Sequence, residues 1–348
     1  MAGVHPAMNY QTYVARYLPS LETYMKKLLT PPARDVSLHY DIMAYHLGWR
    51  DEHLRPAQAN TGKRIRPVLC LLACEAVGGD PQSALPAAAG IELLHNFSLI
   101  HDDIEDNSPT RRGRPTVWRL WGVAQAINVG DAMFSLARWA LHDLRQFHPA
   151  ERVLEAFQLF DQVCLALTEG QHLDMCFEER LDVNEEAYMR MIRGKTAALI
   201  ATSVEMGALL GGAPSNVRNA YKAFGENLGL AFQIQDDILG IWGQETKTGK
   251  STASDILSKK KTWPVIYALH HPTVGPTLRE LYAGPPFTEA DVPRVQALLE
   301  EAGTREAATA LVHQYHEKAL AALDTGGVRS PAQDALRELA NALLGREA

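Results

Sequence analysis

The run LLHNFSLIHDDIED, Leu93 to Asp106, decides how this chain is read. Its first part is apolar, with Leu93, Leu94, Phe97, Leu99 and Ile100, and its last part is acidic, with Asp102, Asp103 and Asp106. On a helix Asp102 and Asp106 are i, i+4, and Asp103 and Asp106 are i, i+3, so all three carboxylates share one side within about two turns. Carboxylates that close raise one another's pKa. A divalent cation removes the conflict, and carboxylate oxygens suit Mg²⁺, which fills its octahedron with water and substrate phosphates. A solvated acidic face is the plain alternative, but these acids end a core-like helix, where exposure is partial.

A second segment repeats the design. Gln233-Ile234-Gln235-Asp236-Asp237 follows the apolar Leu228, Leu230, Ala231 and Phe232. If the two helices lie side by side, their carboxylates face a cavity that holds more than one Mg²⁺ and a diphosphate. Cations cluster as well: Lys63, Arg64 and Arg66; Arg111, Arg112 and Arg114; Lys195; and Lys250 with Lys259, Lys260 and Lys261. Each cluster alone reads as solvated surface. Beside metal-binding acids they suit diphosphate, because the arginine fork matches phosphate oxygens and lysine supplies a point charge.

The rest of the chain sets the frame. It has 348 residues, 46% apolar and 22% charged, with a formal charge of −7. That composition excludes wholesale disorder and argues against a nucleic-acid binder. Leu311, Tyr315, Ala319 and Leu323 recur at helical spacing. Thr288 and Asp291 form a capping box, Gly303 supplies a stop, and Ser330-Pro331 opens a last helix. No period-2 strand run and no linker appears. The expectation is an all-α chain: one helical bundle around a deep central cavity, a single domain over residues 1–348, with motifs in 60–265 and C-terminal helices in 287–346.

Cys70, Cys74, Cys164 and Cys176 read as small core residues, not a disulfide framework or zinc site. No signal peptide or spanning helix is evident, so the expected location is cytoplasmic. Gly243 to Ser251 imitates a P-loop but has one residue too many between its glycines and follows a helix-like segment.

In order along the chain, Gly62 to Pro67, His95 to Asp106, Arg111-Arg112-Gly113, Gly130-Asp131, Gly170 to Asp174, Gly194-Lys195-Thr196, Phe232 to Asp237 and Lys260 to Pro264 resemble the motifs of the trans-type polyprenyl (isoprenyl) diphosphate synthases. The resemblance implies an Mg²⁺-dependent prenyltransferase, usually a homodimer, that joins isopentenyl diphosphate to an allylic prenyl diphosphate. It assigns isopentenyl diphosphate to Lys63, Arg66, His95 and Arg112, and the allylic diphosphate to Arg111, Lys195 and Lys260, with Lys250 on the same rim. Asp102 and Asp106 are expected to ligate two Mg²⁺ with Asp103 nearby, and Asp236, beside Asp237, a third. Thr196 and Gln233 are expected near the developing carbocation. Gly240 departs from the pattern, standing where many relatives carry a third Asp, and Thr61 and Lys259 stand where Gly is common.

Product length is read one turn before Asp102, where Ser98 leaves room and bulky Phe97 blocks growth. With the short D-D-x-x-D spacing this resembles synthases that stop at C20, geranylgeranyl diphosphate; C15 farnesyl or a C25 and longer product is the alternative. A phosphohydrolase of the His-Asp type, using His95, His101, Asp102 and Asp131, leaves the second acidic motif and the arginine pair unexplained. A terpene cyclase leaves Lys63, Arg66 and His95 unexplained. A non-catalytic subunit would be expected to have lost motif residues that are complete here.

Overall fold

The computed structural model describes residues 9–60, 62–243 and 253–344. Its elements are α1 (Tyr10–Leu28), α2 (Ser37–His46), α3 (Ile65–Ala76), α4 (Pro81–Glu105), β1 (Thr110–Arg111), β2 (Arg114–Pro115), α5 (Val117–Trp121), α6 (Val123–Ala140), α7 (Ala150–Glu178), α8 (Glu185–Ile192), α9 (Ala198–Leu210) and α10 (Ser215–Trp242). After these come α11 (Ser254–Leu257), α12 (Trp263–Leu269), α13 (Gly275–Ala283), α14 (Val292–Glu301), α15 (Thr304–Thr325) and α16 (Pro331–Leu344). The all-α expectation holds, with one short hairpin added.

Contacts divide the chain into two compact units, each discontinuous in sequence. The first comprises residues 1–161, 203–218 and 328–336, and the second 162–202, 219–327 and 337–348.

In the first unit α4 is the central element, packed on α3 and α6. The Asp80 side chain accepts from Gln82 N at 2.9 Å and Pro81 takes the first helical position, so the start is both capped and preset. Ala84, Ala87, Ala88 and Ala89 are buried and keep the helix slim. At Gly90 a Cβ would stand 2.7 Å from the Ala137 carbonyl of α6, so only glycine permits that approach. Gly207 of α9 meets α3 in the same way, 2.1 Å from Cys70 O. The Gly78-Gly79 and Gly211-Gly212 pairs, far apart in sequence, meet in space, since a Cβ on Gly79 would lie 2.5 Å from the Gly211 Cα.

In the second unit one core gathers Phe177, Tyr188, Ile192, Ile234, Ile238 and Trp263, with Ala308 and Val312 of α15. A neighbouring cluster packs Ile241, Ile256, Val265 and Leu278 against Val295 and Leu299.

Three local expectations change. Thr288 N and Oγ1 both donate to Asp291 Oδ2, at 2.8 and 2.7 Å, but this closes a turn and α14 begins only at Val292. Pro293 sits in the first turn of α14, where its missing N–H costs nothing. Residues 110–115 form an antiparallel hairpin whose turn residues, Arg112 and Gly113, have φ of 53° and 75°. A two-residue loop left-handed at both positions is a type I′ turn, signalled here by Arg-Gly and not the usual Asn-Gly. Cys70 and Cys74 are core residues, but Cys164 is half-buried and Cys176 exposed, so the core reading fails for Cys176. The Gly303 stop and the Ser330-Pro331 start stand: Gly303 is left-handed, and Gln333 N donates to Ser330 Oγ at 3.2 Å.

Candidate active site

In the first unit the loop before α3 brings cations to α4. Arg64 adopts φ 47°, ψ 38° at the N-cap of α3, and its guanidinium turns inward. It pairs with Glu92 at 2.6 Å and Glu22 at 3.1 Å. Glu92 Oε1 also accepts from Asn96 Nδ2 at 2.8 Å. With Arg64 seated, Arg66 reaches α4, where its Nη1 lies 3.2 Å from His95 Nε2. A guanidinium only donates, so His95 Nε2 is the acceptor and the ring is neutral. Burial, then the charges of Arg66, Arg112 and Arg111, hold the His95 pKa well below the usual histidine value. Burial also pulls Arg66 and Arg112 below the usual guanidinium value.

The hairpin supplies the remaining cations. Arg111 Nε donates to Asp103 Oδ1 at 2.8 Å. The Arg112 guanidinium passes Gly62, where a Cβ would stand 2.7 Å from its Nη2. Asp103 is buried and its Oδ2 has no partner; burial, opposed by Arg111, raises its pKa to about 6. Asp102 is half-buried and Asp106 exposed, on successive turns at the end of α4, with Asp106 N donating to Asp102 O at 2.8 Å.

Phe97 is not loose core. Its ring lies 4.8 Å from His101 and 5.0 Å from Phe134 of α6, an aromatic trio just before the acids. Ser98 Oγ donates to His95 O at 2.8 Å. Gly130 makes room for His101, since a Cβ there would fall 2.2 Å from His101 Nε2. Asp131 lies 3.8 Å from that nitrogen.

In the second unit Gly194, Lys195 and Thr196 sit in a π-helical turn, Arg193–Ala197. A π turn is wider than an α turn and needs space beside it. Gly170 of α7 gives it on one side, where a Cβ would stand 2.2 Å from Lys195 N. Gly229 of α10 gives it on the other, 2.5 Å from the Ala197 Cα. Lys195 Nζ donates to Asp174 Oδ2 at 2.5 Å. Thr196 Oγ1 meets Gln233 Oε1 at 2.7 Å, and Gln233 Nε2 donates to Asp237 Oδ1 at 2.9 Å. Asp237 is buried, and burial raises its pKa to about 6. Asp174, Lys195, Thr196, Gln233, Asp237 and Lys260 line one cavity.

The lysine run divides by role. Lys259 Nζ donates to the carbonyls of Leu281, Tyr282 and Gly284, and Lys261 Nζ to those of Glu178 and Lys259. Lys260 instead turns toward acids. Burial alone pulls its pKa down, but Asp255, Asp174, Asp237 and Asp236 outweigh that and hold the ammonium above the usual lysine value. Gly240 has a local reason too, for a Cβ there would stand 2.0 Å from Asp255 Oδ2, so the Asp255 carboxylate occupies the space of a residue-240 side chain.

A sequence model of the polyprenyl synthetase family matches residues 49–299. The (2E,6E)-farnesyl diphosphate synthase of Mycobacterium tuberculosis is 40% identical over 99% of this chain and 98% of its own. The geranylgeranyl diphosphate synthase of the same organism is 41% identical over 86% of this chain and 85% of its own. A crystal structure of geranylgeranyl pyrophosphate synthase from Corynebacterium glutamicum, complexed with isoprenyl diphosphate and magnesium, superposes with a TM-score of 0.84 at 26% identity, covering 98% of this chain and 100% of that one. The chain belongs to the polyprenyl synthetase family. It is a trans-prenyltransferase.

Of the expected site residues, the first unit gathers Arg66, His95, Asp103, Arg111 and Arg112 around the second half of α4 and the hairpin, with exposed Lys63 just before the inward-turned Arg64. The second gathers Lys195, Thr196, Gln233, Asp237 and Lys260, with Asp236 beside Asp237 on α10. Lys250 lies outside the described residues. Sequence reasoning missed His46, whose ring is enclosed near Arg111, Arg112 and Arg64 and whose Nε2 has no partner. It also missed Glu92, Asp174, Tyr188 and Asp255. Asp174 was within a quoted motif, and Glu92 was signalled as an acid inside the apolar run of α4; nothing local marked the others.

Because Arg66 donates to His95, the His95 ring is expected to stay neutral down to pH 6 in the substrate-free protein. Nitrogen-15 NMR of labelled histidine checks this: no His95 titration between pH 8 and 6 is expected, and a midpoint near 6.5, the ordinary value, would refute the assignment.

Proposed function

We propose that this prenyltransferase condenses isopentenyl diphosphate head to tail with an allylic diphosphate, by ionisation, condensation and loss of a proton, and that its main product is C20 geranylgeranyl diphosphate. The observation that carries the substrate reading is the cation pair Arg66 and Arg112 beside neutral His95: the carboxylate they face, Glu92, already serves Arg64 and Asn96, and Asp103 is taken by Arg111. Such a group is short of negative charge, and a diphosphate supplies it. Lys63, Arg66, His95 and Arg112 are read as the isopentenyl diphosphate ligands, and Arg111, Lys195 and Lys260 as those of the allylic diphosphate.

Mg²⁺ suits the acids. Asp102 and Asp106 stand on successive turns at the open end of α4, beside the unpartnered Oδ2 of buried Asp103. Among the described residues no three His, Cys, Asp or Glu side chains are gathered to close around an ion. An open pair of carboxylates leaves coordination sites for water and diphosphate, which is how Mg²⁺ is usually held. Asp102 and Asp106 would hold two ions and Asp236 a third. When bound, Mg²⁺ supplies positive charge that eases departure of the allylic diphosphate. Lys195 and Lys260 would orient that diphosphate, and Thr196 and Gln233 would turn oxygen dipoles toward the allylic carbon as positive charge develops.

The aromatic trio of Phe97, His101 and Phe134 supports a stop at C20, since it walls the helix face one turn before the acids while Ser98 stays small. A C15 product is the second reading, favoured by the farnesyl relative that spans nearly the whole chain. The reading includes a homodimer, supported by the exposed apolar side chains Leu120, Val123, Ile127 and Trp139 on α5 and α6. It also includes a cytoplasmic location, in keeping with four free cysteine thiols.

Labelled isopentenyl diphosphate with a C5, C10 or C15 primer and Mg²⁺ is expected to give mainly C20 alcohol after dephosphorylation, and chelation by EDTA to abolish it. A main product of C15, or release of phosphate without elongation, would overturn the corresponding part of this reading. Phe97→Ala is expected to shift the main product to C25 or longer by chromatography; an unchanged length would mean that the trio does not set it.

A further inference from the structure

Asp237 follows Asp236 in the second acidic motif, yet its carboxylate is enclosed and taken up by the protein. Its Oδ2 accepts from Tyr188 O–H at 2.5 Å and from the backbone N–H of Trp263, at the start of α12, at 2.9 Å. Its Oδ1 accepts from Gln233 Nε2 at 2.9 Å. Tyr188 and Asp237 are 1% and 2% exposed, so water does not compete for these bonds.

The chain of bonds has a direction. A carboxylate flanked by three donors accepts from all of them, so the Gln233 amide must turn its nitrogen to Asp237. Its oxygen then faces Thr196 Oγ1, 2.7 Å away. A carbonyl oxygen cannot donate, so the hydroxyl proton of Thr196 is committed to Gln233. The lone pairs of Thr196 Oγ1 are left for the cavity that Thr196 shares with Lys195 and Lys260.

We propose that Tyr188 and Asp237 are positioning residues that lock the polarity of the Gln233–Thr196 pair, so that Thr196 presents its oxygen lone pairs, not its proton, to the developing allylic cation. The proposal rests on the reading of Thr196 given above. It accounts for a motif carboxylate that is buried one residue after a proposed metal ligand. It also gives Tyr188, which lies outside the sequence motifs, a function. The Trp263 N–H makes the lock one-sided: it cannot face an amide nitrogen, so in Asp237→Asn the new amide turns its oxygen to Trp263 and its nitrogen to Gln233. Gln233 must then flip, and the Thr196 proton points into the cavity.

Steady-state kinetics of the full-length enzyme with Mg²⁺, an allylic primer and isopentenyl diphosphate test this through Thr196→Val, Tyr188→Phe, Asp237→Asn and the Tyr188→Phe/Thr196→Val double variant. Thermal melts check that each variant folds. Tyr188→Phe is expected to lower kcat about tenfold with the KM for isopentenyl diphosphate unchanged, and Asp237→Asn to lower it further. The double variant is expected to match Thr196→Val within about twofold, because Tyr188 acts through Thr196. If Thr196→Val leaves kcat intact, the role given to Thr196 fails and the lock with it. If Thr196→Val lowers kcat but the two losses multiply, or if both Tyr188→Phe and Asp237→Asn match wild type, the lock alone is overturned. Should Tyr188→Phe fail to fold, the isosteric Asp237→Asn decides: wild-type kcat in that variant refutes the proposal, and a loss absent on the Thr196→Val background supports it.

Discussion

Glu92 is a single buried carboxylate already shared by Arg64 and Asn96, and that prior commitment keeps Arg66 and Arg112, beside neutral His95, short of a counter-charge. Arg64 and Glu92 are 4% and 3% exposed, and Glu22 gives Arg64 a second acid, so it is removal of Arg64 that would leave a buried charge, on Glu92, at a cost of about 3–5 kcal/mol. The pair stabilises the turn before α3 and also aims its neighbours, because a left-handed Arg64 sends its own side chain inward and lets Arg66 follow onto α4. Cations held this way, partly desolvated, gain more from an arriving diphosphate than cations in bulk water.

The second unit uses a different device. Helices normally cannot come closer than their side chains allow, and Gly170 and Gly229 remove that limit on both sides of residues 193–197. The space admits a π turn, which shifts Lys195 and Thr196 out of ordinary helical register. Lys195 is then steadied by Asp174 and Thr196 by Gln233, so neither side chain depends on a loop. Rigid elements hold a site more narrowly than loops do.

Much of this was legible in the sequence, and the limits have physical causes. Apolar runs leading into acids at 102–106 and 236–237 stood out because helical period and charge are both local signals; α4 does end at its acids, but α10 continues past Asp237 to Trp242, its buried Ile238 and Ile241 extending the core. The lysine run at 259–261 did not divide in sequence, because only tertiary contacts show that Lys259 and Lys261 hold carbonyls while Lys260 meets acids. The hairpin at 110–115 escaped because strands of two residues carry no period. Gly240 looked like a lost ligand until Asp255, distant in sequence, appeared in its place. His46, Tyr188 and Asp255 act through neighbours that no local pattern links to them, and Phe97 could be placed before Asp102 but not against Phe134.

Calorimetric titration of the metal-free protein with isopentenyl diphosphate is the most direct measurement. A pocket built from Arg66, His95 and Arg112 predicts one saturable site per chain without Mg²⁺, lost in Arg112→Met. Unchanged binding in that variant, or no binding until Mg²⁺ is added, would contradict it.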